Sequence, residues 1–181
     1  MYQNLKTFKV PKDFRGKSKI IVQLWWIVEK TFFAMSPQVF YGWRRFLLRL
    51  FGAKIGKGVL IRSSVRITYP WKVFIGNYSW VGESCVLYSL GEIHIGNHVA
   101  IAHGVYFNTG LHDYKKESFD IGSENVFIED ESWITNDVYI APGVTIGKGC
   151  VIGARSSVFK NMPEGWVCVG SPAKPIKKRK D

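Results

Sequence analysis

At 181 residues, with 46% hydrophobic and 15% aromatic residues, the chain has room for one domain with a sizeable core and is too apolar to be disordered over most of its length. Three cysteines, Cys85, Cys150 and Cys168, are odd in number and far apart, which excludes a CxxC spacing, argues against a disulfide framework and favours a reducing, cytoplasmic setting. The net charge of +11 sits at the ends: residues 1–54 hold eleven Lys/Arg against two acids, residues 55–159 eight against ten, and residues 160–181 six against two, so the centre lacks the continuous basic face that nucleic acid would need.

From the N-terminus, the start MYQNLKTFKVPKDFRGKSK shows no apolar signal core, and the apolar stretch from Ile20 to Met35 is broken by Gln23, Glu29 and Lys30, so neither a standard signal nor a spanning helix is expected. Ser36 with Pro37 marks a helix start and Gly52 a stop. Between them Val39, Phe40, Trp43, Phe46, Leu47, Leu50 and Phe51 share one face, with Arg44, Arg45 and Arg49 on the other. That pattern predicts a helix packed by its apolar face on the first repeat or on a neighbouring subunit. A basic amphipathic helix resting on an anionic membrane is the alternative.

From Ile55 an apolar residue recurs every six positions: Ile55, Ile61, Ile67, Ile75, Val81, Leu87, Ile95, Ile101, Phe107, then Ile128, Ile134, Ile140, Ile146, Ile152 and Val158. Chance gives such a run at about one in 10⁵. The fourth residue after most of these is small or aliphatic, as at Val59, Val65, Ser79, Cys85, Val99, Val105, Ser132, Val138, Val144, Cys150 and Ser156. Two inward positions per hexad, separated by a tight turn, describe a triangular parallel solenoid in which three hexads close one coil. The expected coils are 55–72, 75–92, 95–112, 128–145 and 146–163, with residues 113–127 as an excursion. The chain thus divides into a basic helical extension at 1–54, a mainly β solenoid of about five coils at 55–163, and a basic tail at 164–181.

From Ile95 through Lys177, the runs IAHGVYFNTGLHDY and WITNDVYIAPGVTIGKGCVIGARSSVFKNMPEGWVCVGSPAKPI resemble the maltose, galactoside and nodulation-factor O-acetyltransferases. With VPKDFRG and SPQVFYGWRRFLLRLFGAKIG included, the whole chain most resembles the colanic acid biosynthesis acetyltransferases of exopolysaccharide clusters. The resemblance implies a left-handed parallel β-helix, a homotrimer with active sites between subunits, and acetyl-CoA as co-substrate. It implies His112 as the catalytic base. It also implies coenzyme contacts from Trp133, Asn136, Ala154, Lys160, Lys174 and Lys177.

Transfer of an acetyl group to a sugar hydroxyl needs a base near neutral pH, which imidazole suits, and a polyphosphate ligand wants cations such as those of PAKPIKKRK. For Lys178, Arg179 and Lys180 a solvated charge run is the expectation. The resemblance implies direct attack of the hydroxyl on the thioester in a ternary complex, and no Ser or Cys lies in a nucleophile motif. The family carries an Asn and adjacent Asp residues around its acceptor site, where this chain has Gly82, Ser89 and Leu90. That departure leaves the acceptor open. The acceptor-site candidates are Gly82 at the departing position, Asp113, which stands beside the base to orient the imidazole or accept from a sugar hydroxyl, and Tyr114 in the excursion that shapes the pocket. A soluble sugar or nucleotide sugar is the alternative acceptor. A zinc protein like the γ-class carbonic anhydrases would use His98 and His103 with a third histidine two coils earlier, but no histidine precedes His94, so no metal is expected. A catalytically silent β-helix would lack the base, and His112 is present.

Overall fold

A computed structural model describes residues 1–180, and its centre is a parallel β-solenoid built on the six-residue register. All fifteen register residues are buried, as are the eleven small or aliphatic residues four positions later. Each short strand therefore turns one residue in and the preceding one out, as the two-residue period of extended chain requires.

Three faces result. The first stacks Lys54–Ile55, Val73–Ile75, Ile93–Ile95, Val126–Ile128 and Thr145–Ile146. The second stacks Leu60–Ile61, Trp80–Val81, Ala100–Ile101, Trp133–Ile134 and Val151–Ile152. The third stacks Arg66–Ile67, Val86–Tyr88, Tyr106–Asn108, Tyr139–Ile140 and Ser157–Val158. The first coils repeat at twenty residues, pairing Ile55 with Ile75 and Ile75 with Ile95, while the last full repeat pairs Ile128 with Ile146 at eighteen.

Side chains hold the turn between the first and second faces. Asn77 Oδ1 accepts from Lys57 N–H at 2.9 Å, Asn97 Oδ1 from Asn77 N–H at 2.8 Å, and Asp130 Oδ1 from Asn97 N–H at 2.7 Å. These bonds to its anionic form hold the Asp130 carboxyl below its ordinary pKa.

Stacking continues past residue 163, beyond the expected end of the coils. Met162 bridges to Ile146, and Trp166–Gly170 adds to the second face before Ala173–Lys178 turns back antiparallel along it. The basic tail is therefore largely a strand. Arg179 is not merely solvated, because its Nη1 donates to the carbonyls of Glu131 at 2.7 Å and Gly149 at 3.0 Å.

The N-terminal third forms two helices, α1 (Lys19–Val28) and α2 (Tyr41–Leu50), joined through a π-helical turn at Glu29–Phe33. Ser18 starts α1 by accepting from Ile21 N–H. The expected orientation of α2 is largely reversed, and of the expected apolar face Leu47 and Phe51 alone pack inward. Arg44 is fully buried and Leu47 and Leu48 lie beside it, whereas Val39, Phe40, Trp43, Phe46 and Leu50 are exposed.

The cause lies in the first coil. Its strands have a neighbour on one side only, leaving the carbonyls of Ile55, Ile61 and Ile67 unpaired toward the helices. Arg49 Nη2 donates to Ile55 O at 2.7 Å, Arg44 Nε to Ile61 O at 2.6 Å, and Trp25 Nε1 to Ile67 O at 2.7 Å. Glu29 Oε1 accepts the Ile67 N–H at 2.5 Å, and Arg45 Nη1 donates to Val59 O at 2.8 Å. The surface to be covered is polar backbone, so the arginine side of α2 faces it.

Two stability predictions follow from this cap. Arg44 also donates to Ser36 Oγ and to the carbonyls of Pro37 and Gln38, so Arg44→Met is expected to cost about 3 kcal/mol or more in urea unfolding, against about 1 kcal/mol for Arg45→Met. Burial raises the Glu29 carboxyl above its ordinary pKa of 4.5. The folded state therefore holds this proton more tightly than the unfolded one, and the contribution is full below the ordinary value and lost as pH rises through the raised one. Glu29→Gln should thus lose less melting temperature than the parent between about pH 4 and 7, whereas Glu29→Leu, which orphans the Ile67 N–H, should melt lower throughout.

Candidate active site

After Asn108 the chain leaves the third face as a hairpin, Gly110–His112 against Ile121–Ser123, and rejoins the first face at Val126. Its root is fixed by Thr109, fully buried, whose Oγ1 donates to Tyr88 O at 2.6 Å and accepts from Gly91 N–H at 2.9 Å. Asn108 Oδ1 accepts from Gly110 N–H and its Nδ2 donates to Tyr139 Oη, both at 2.9 Å.

This hairpin presents His112. The imidazole is exposed at its edge but stacks on Phe119 with ring centres 4.2 Å apart and planes 8° from parallel, and Phe8 of the N-terminal arm lies 5.9 Å away. His112 Nδ1 is 2.9 Å from the carbonyl oxygen of Phe119. A carbonyl only accepts, so Nδ1 carries the proton and the neutral ring keeps a lone pair on Nε2. That is the tautomer a general base requires. Asp113 does not orient the imidazole: its Oδ1 accepts from Lys115 N–H, and its other oxygen lies 3.7 Å from Lys116 Nζ, which also bonds Asp120 at 3.2 Å. Tyr114 is 77% exposed on the hairpin loop. Gly82 has a packing reason, since a Cβ there would stand 2.5 Å from the backbone of Ala102 in the next coil.

The expected coenzyme residues fall in three places. Trp133 lies outward on the second face, in a groove of about 470 Å³ shared with Trp80, His98 and Arg179. Lys174 and Lys177 extend that face, exposed, on the antiparallel strand opposite Val169 and Val167. Asn136 and Ala154 stack one coil apart on the edge between the second and third faces, and His103 occupies the same position one coil earlier. Lys160 lies on the other edge of the third face, in register with Pro142 and with Thr109, the root of the His112 hairpin. One chain therefore places the base and Lys160 on one edge and Asn136 and Ala154 on another.

His94, His98 and His103 are separated in the same way. His94 is stacked between Phe74 and Phe127 on the first face, at 4.3 and 4.8 Å, and bonds Glu92. His98 and His103 occupy turns on two different edges, and among the described residues no group of three or more His, Cys, Asp or Glu side chains could hold a metal ion. The three thiols are buried and free, and burial pushes Cys85 up to about 11 and raises Cys150 and Cys168 as well, the reverse of what a thiolate nucleophile needs.

A cavity of about 350 Å³ opens on the third face among Trp26, Glu29, Lys30, Arg66, Tyr88 and Tyr106. It adjoins the hairpin, since a Cβ on Gly110 would stand 3.0 Å from Tyr88 Cε1. The sequence reading missed these residues and the two phenylalanines beside His112. Arg66 and Tyr106 were derivable, because each precedes an inward register residue and must point out; Phe8 and Phe119 carry no such signal.

Comparison with known proteins agrees with this architecture. The bacterial transferase hexapeptide family (six repeats) matches residues 125–160. Over 177 residues, 98% of this chain and 97% of the relative, the sequence is 56% identical to the putative colanic acid biosynthesis acetyltransferase WcaF of Escherichia coli K12. The crystal structure of a maltose O-acetyltransferase from Clostridium difficile 630 superposes with a TM-score of 0.79 at 28% identity, covering 89% of each chain. A hexapeptide-repeat acetyltransferase from Vibrio cholerae, solved with acetyl coenzyme A, shares the fold with a TM-score of 0.80 at 24% identity over 90% of this chain and 89% of that one. Repeat, coil architecture and near-full-length identity converge: the chain belongs to the hexapeptide-repeat acetyltransferases.

Proposed function

We propose that the protein transfers the acetyl group of acetyl-CoA to a hydroxyl of a sugar in an exopolysaccharide repeat unit of the colanic acid kind, with His112 as general base, in a site completed by a second copy within a homotrimer. The observation that carries this reading is the His112 Nδ1 bond to Phe119 O, which leaves Nε2 ready to accept a proton. His112 Nε2 takes the proton of the acceptor hydroxyl while that oxygen attacks the thioester carbonyl; the carbon–sulfur bond then breaks and coenzyme A leaves as the thiol once protonated. The stack on Phe119 and the bond to its carbonyl hold the ring in one orientation, so little reorganisation precedes proton transfer.

The residues available for the coenzyme fit its chemistry. Exposed Lys160, Lys174 and Lys177 would meet its phosphates, and the edge that carries Asn136 and Ala154, with Trp133 on the adjoining face, would take the pantetheine arm. Because these groups occupy different edges and faces of one solenoid, a cleft between copies is the arrangement that brings them to one ligand. A sugar suits the neighbouring cavity, where Trp26, Tyr88 and Tyr106 offer ring faces and Glu29, Lys30 and Arg66 offer polar groups beside the His112 hairpin. Asp113 and Tyr114 of the hairpin loop are the acceptor-side residues proposed beside this cavity, whereas Gly82 is accounted for by packing on Ala102, and the 56% identical relative named for colanic acid biosynthesis supports the polymer. In this reading the repeat unit is built on a lipid carrier at the cytoplasmic face of the membrane, and the enzyme works in the cytoplasm beside it.

The test is thiol release from acetyl-CoA by the purified protein against free sugars, nucleotide sugars and lipid-linked oligosaccharides, with His112→Ala in parallel. The expected outcome is turnover of the lipid-linked class and a loss on the order of 10² or more in kcat for the variant, with coenzyme binding retained. Turnover of free or nucleotide sugars alone would overturn the polymer assignment, and an unimpaired variant would overturn the role of His112.

A further inference from the structure

The inverted cap leaves a surface that the acetyl-transfer chemistry does not use. Along α1, Ile20, Leu24 and Ile27 recur at spacings of four and three and are 79%, 50% and 59% exposed, while Val22 and Trp25 on the other side are buried. Thr31 continues this strip, its hydroxyl bonded to Ile27 O. The strip opens into an apolar groove of about 590 Å³ lined by Phe32, Met35, Phe40 and Trp43, where Trp43 Nε1 donates to Phe32 O at 3.0 Å. On α2, Trp43 stacks with Phe46 at 5.7 Å, and Leu50 follows one turn later, 67% exposed. Soluble monomers rarely expose so many contiguous large apolar side chains.

We propose that this strip and groove dock on the surface of an anionic phospholipid bilayer, with α1 and α2 lying in the headgroup region. Charge selects this occupant. Lys17 and Lys19 stand at the start of the strip and are exposed, and Lys19 lines the hollow beside Ile20, Leu24 and Ile27. The two acids of residues 1–54 do not offset them: Glu29 is turned inward to the Ile67 N–H, which leaves Asp13 as the one acid of this segment on the exposed side. A second copy docked face to face by this surface would set lysines against lysines, whereas anionic headgroups pair with them; a head-to-tail contact within a trimer is the outcome that sedimentation velocity reports. The contact is peripheral, since α1 has ten residues and no helix among the described residues is long and apolar enough to cross a membrane. Trp43 fits that depth, with an apolar ring and its N–H already bonded.

The inference does not depend on the acetyl-transfer reading, and its test is separate from activity. The full chain is sedimented with vesicles of phosphatidylcholine alone and of phosphatidylcholine with phosphatidylglycerol, alongside a Leu24→Gln/Ile27→Gln/Phe46→Gln variant and a Lys17→Glu/Lys19→Glu variant. All five positions are exposed, so thermal melting should match the parent and separate lost docking from lost folding. The expected result is binding to the anionic vesicles that weakens with salt and falls by about tenfold or more in each variant, with the mass in sedimentation velocity unchanged. Failure of the parent to bind either vesicle, or full binding by the apolar variant, would overturn the proposal. A smaller assembly in the apolar variant would instead show that this face joins copies of the chain, and would overturn it equally.

Discussion

A parallel solenoid bonds its backbone along its own axis, so every coil satisfies its neighbours and the two end coils are left with unpaired groups. That constraint organises the rest of this protein. At the N-terminal end the carbonyls of Ile55, Ile61 and Ile67 recur with the hexad period, and each receives one donor from the helical layer: Arg49, Arg44 and Trp25. At the other end the second face is extended by Trp166–Gly170 and closed by the antiparallel strand Ala173–Lys178, after which Arg179 bonds the carbonyls of Glu131 and Gly149 across the turn. Both ends use cations as hydrogen-bond donors to backbone, which explains in part why the basic residues collect there.

The register that builds the coils was legible because it obeys one rule, an inward residue every six, with no help from distant contacts. The same rule left an excursion at 113–127, but the chain leaves the solenoid earlier, after Asn108, so that His112 stands in the hairpin and does not close a coil; its role as base came from the resemblance and not from the register. The face of α2 was misjudged because amphipathicity assumes that the covered surface is apolar. Here it is a row of carbonyls, of which Arg44 takes that of Ile61 and Arg49 that of Ile55, while Phe46 and Leu50 are left outside. Nor did the sequence distinguish α1 within the apolar stretch from Ile20 to Met35, although Ser18 stands before it as an N-cap. The partner of the His112 ring is a backbone carbonyl seven residues on, which no side-chain pattern announces.

The hairpin, the N-terminal arm and the first coil are mechanically linked. Asn4 N–H donates to Glu117 O, Phe8 lies against the His112 ring, and Lys72 Nζ donates to the carbonyls of Phe14 and Leu90. The segment that caps the solenoid thus continues into the segment that frames the base. Position of the imidazole is a property of this whole N-terminal layer rather than of the hairpin alone.

The proposal of an acetyl-transfer site divided between copies rests on the placement of His112 and Lys160 on one edge of the solenoid and of Asn136 and Ala154 on another. The most direct measurement mixes two variants by co-expression: His112→Ala, which lacks the base, and Ala154→Trp, which obstructs the opposite edge. Each alone should be inactive in thiol release. If sites form between copies, mixed assemblies contain some junctions with both elements intact and activity returns to a sizeable fraction of the parent's. If mixed assemblies stay as inactive as either variant alone, one chain supplies both elements and the divided site is wrong.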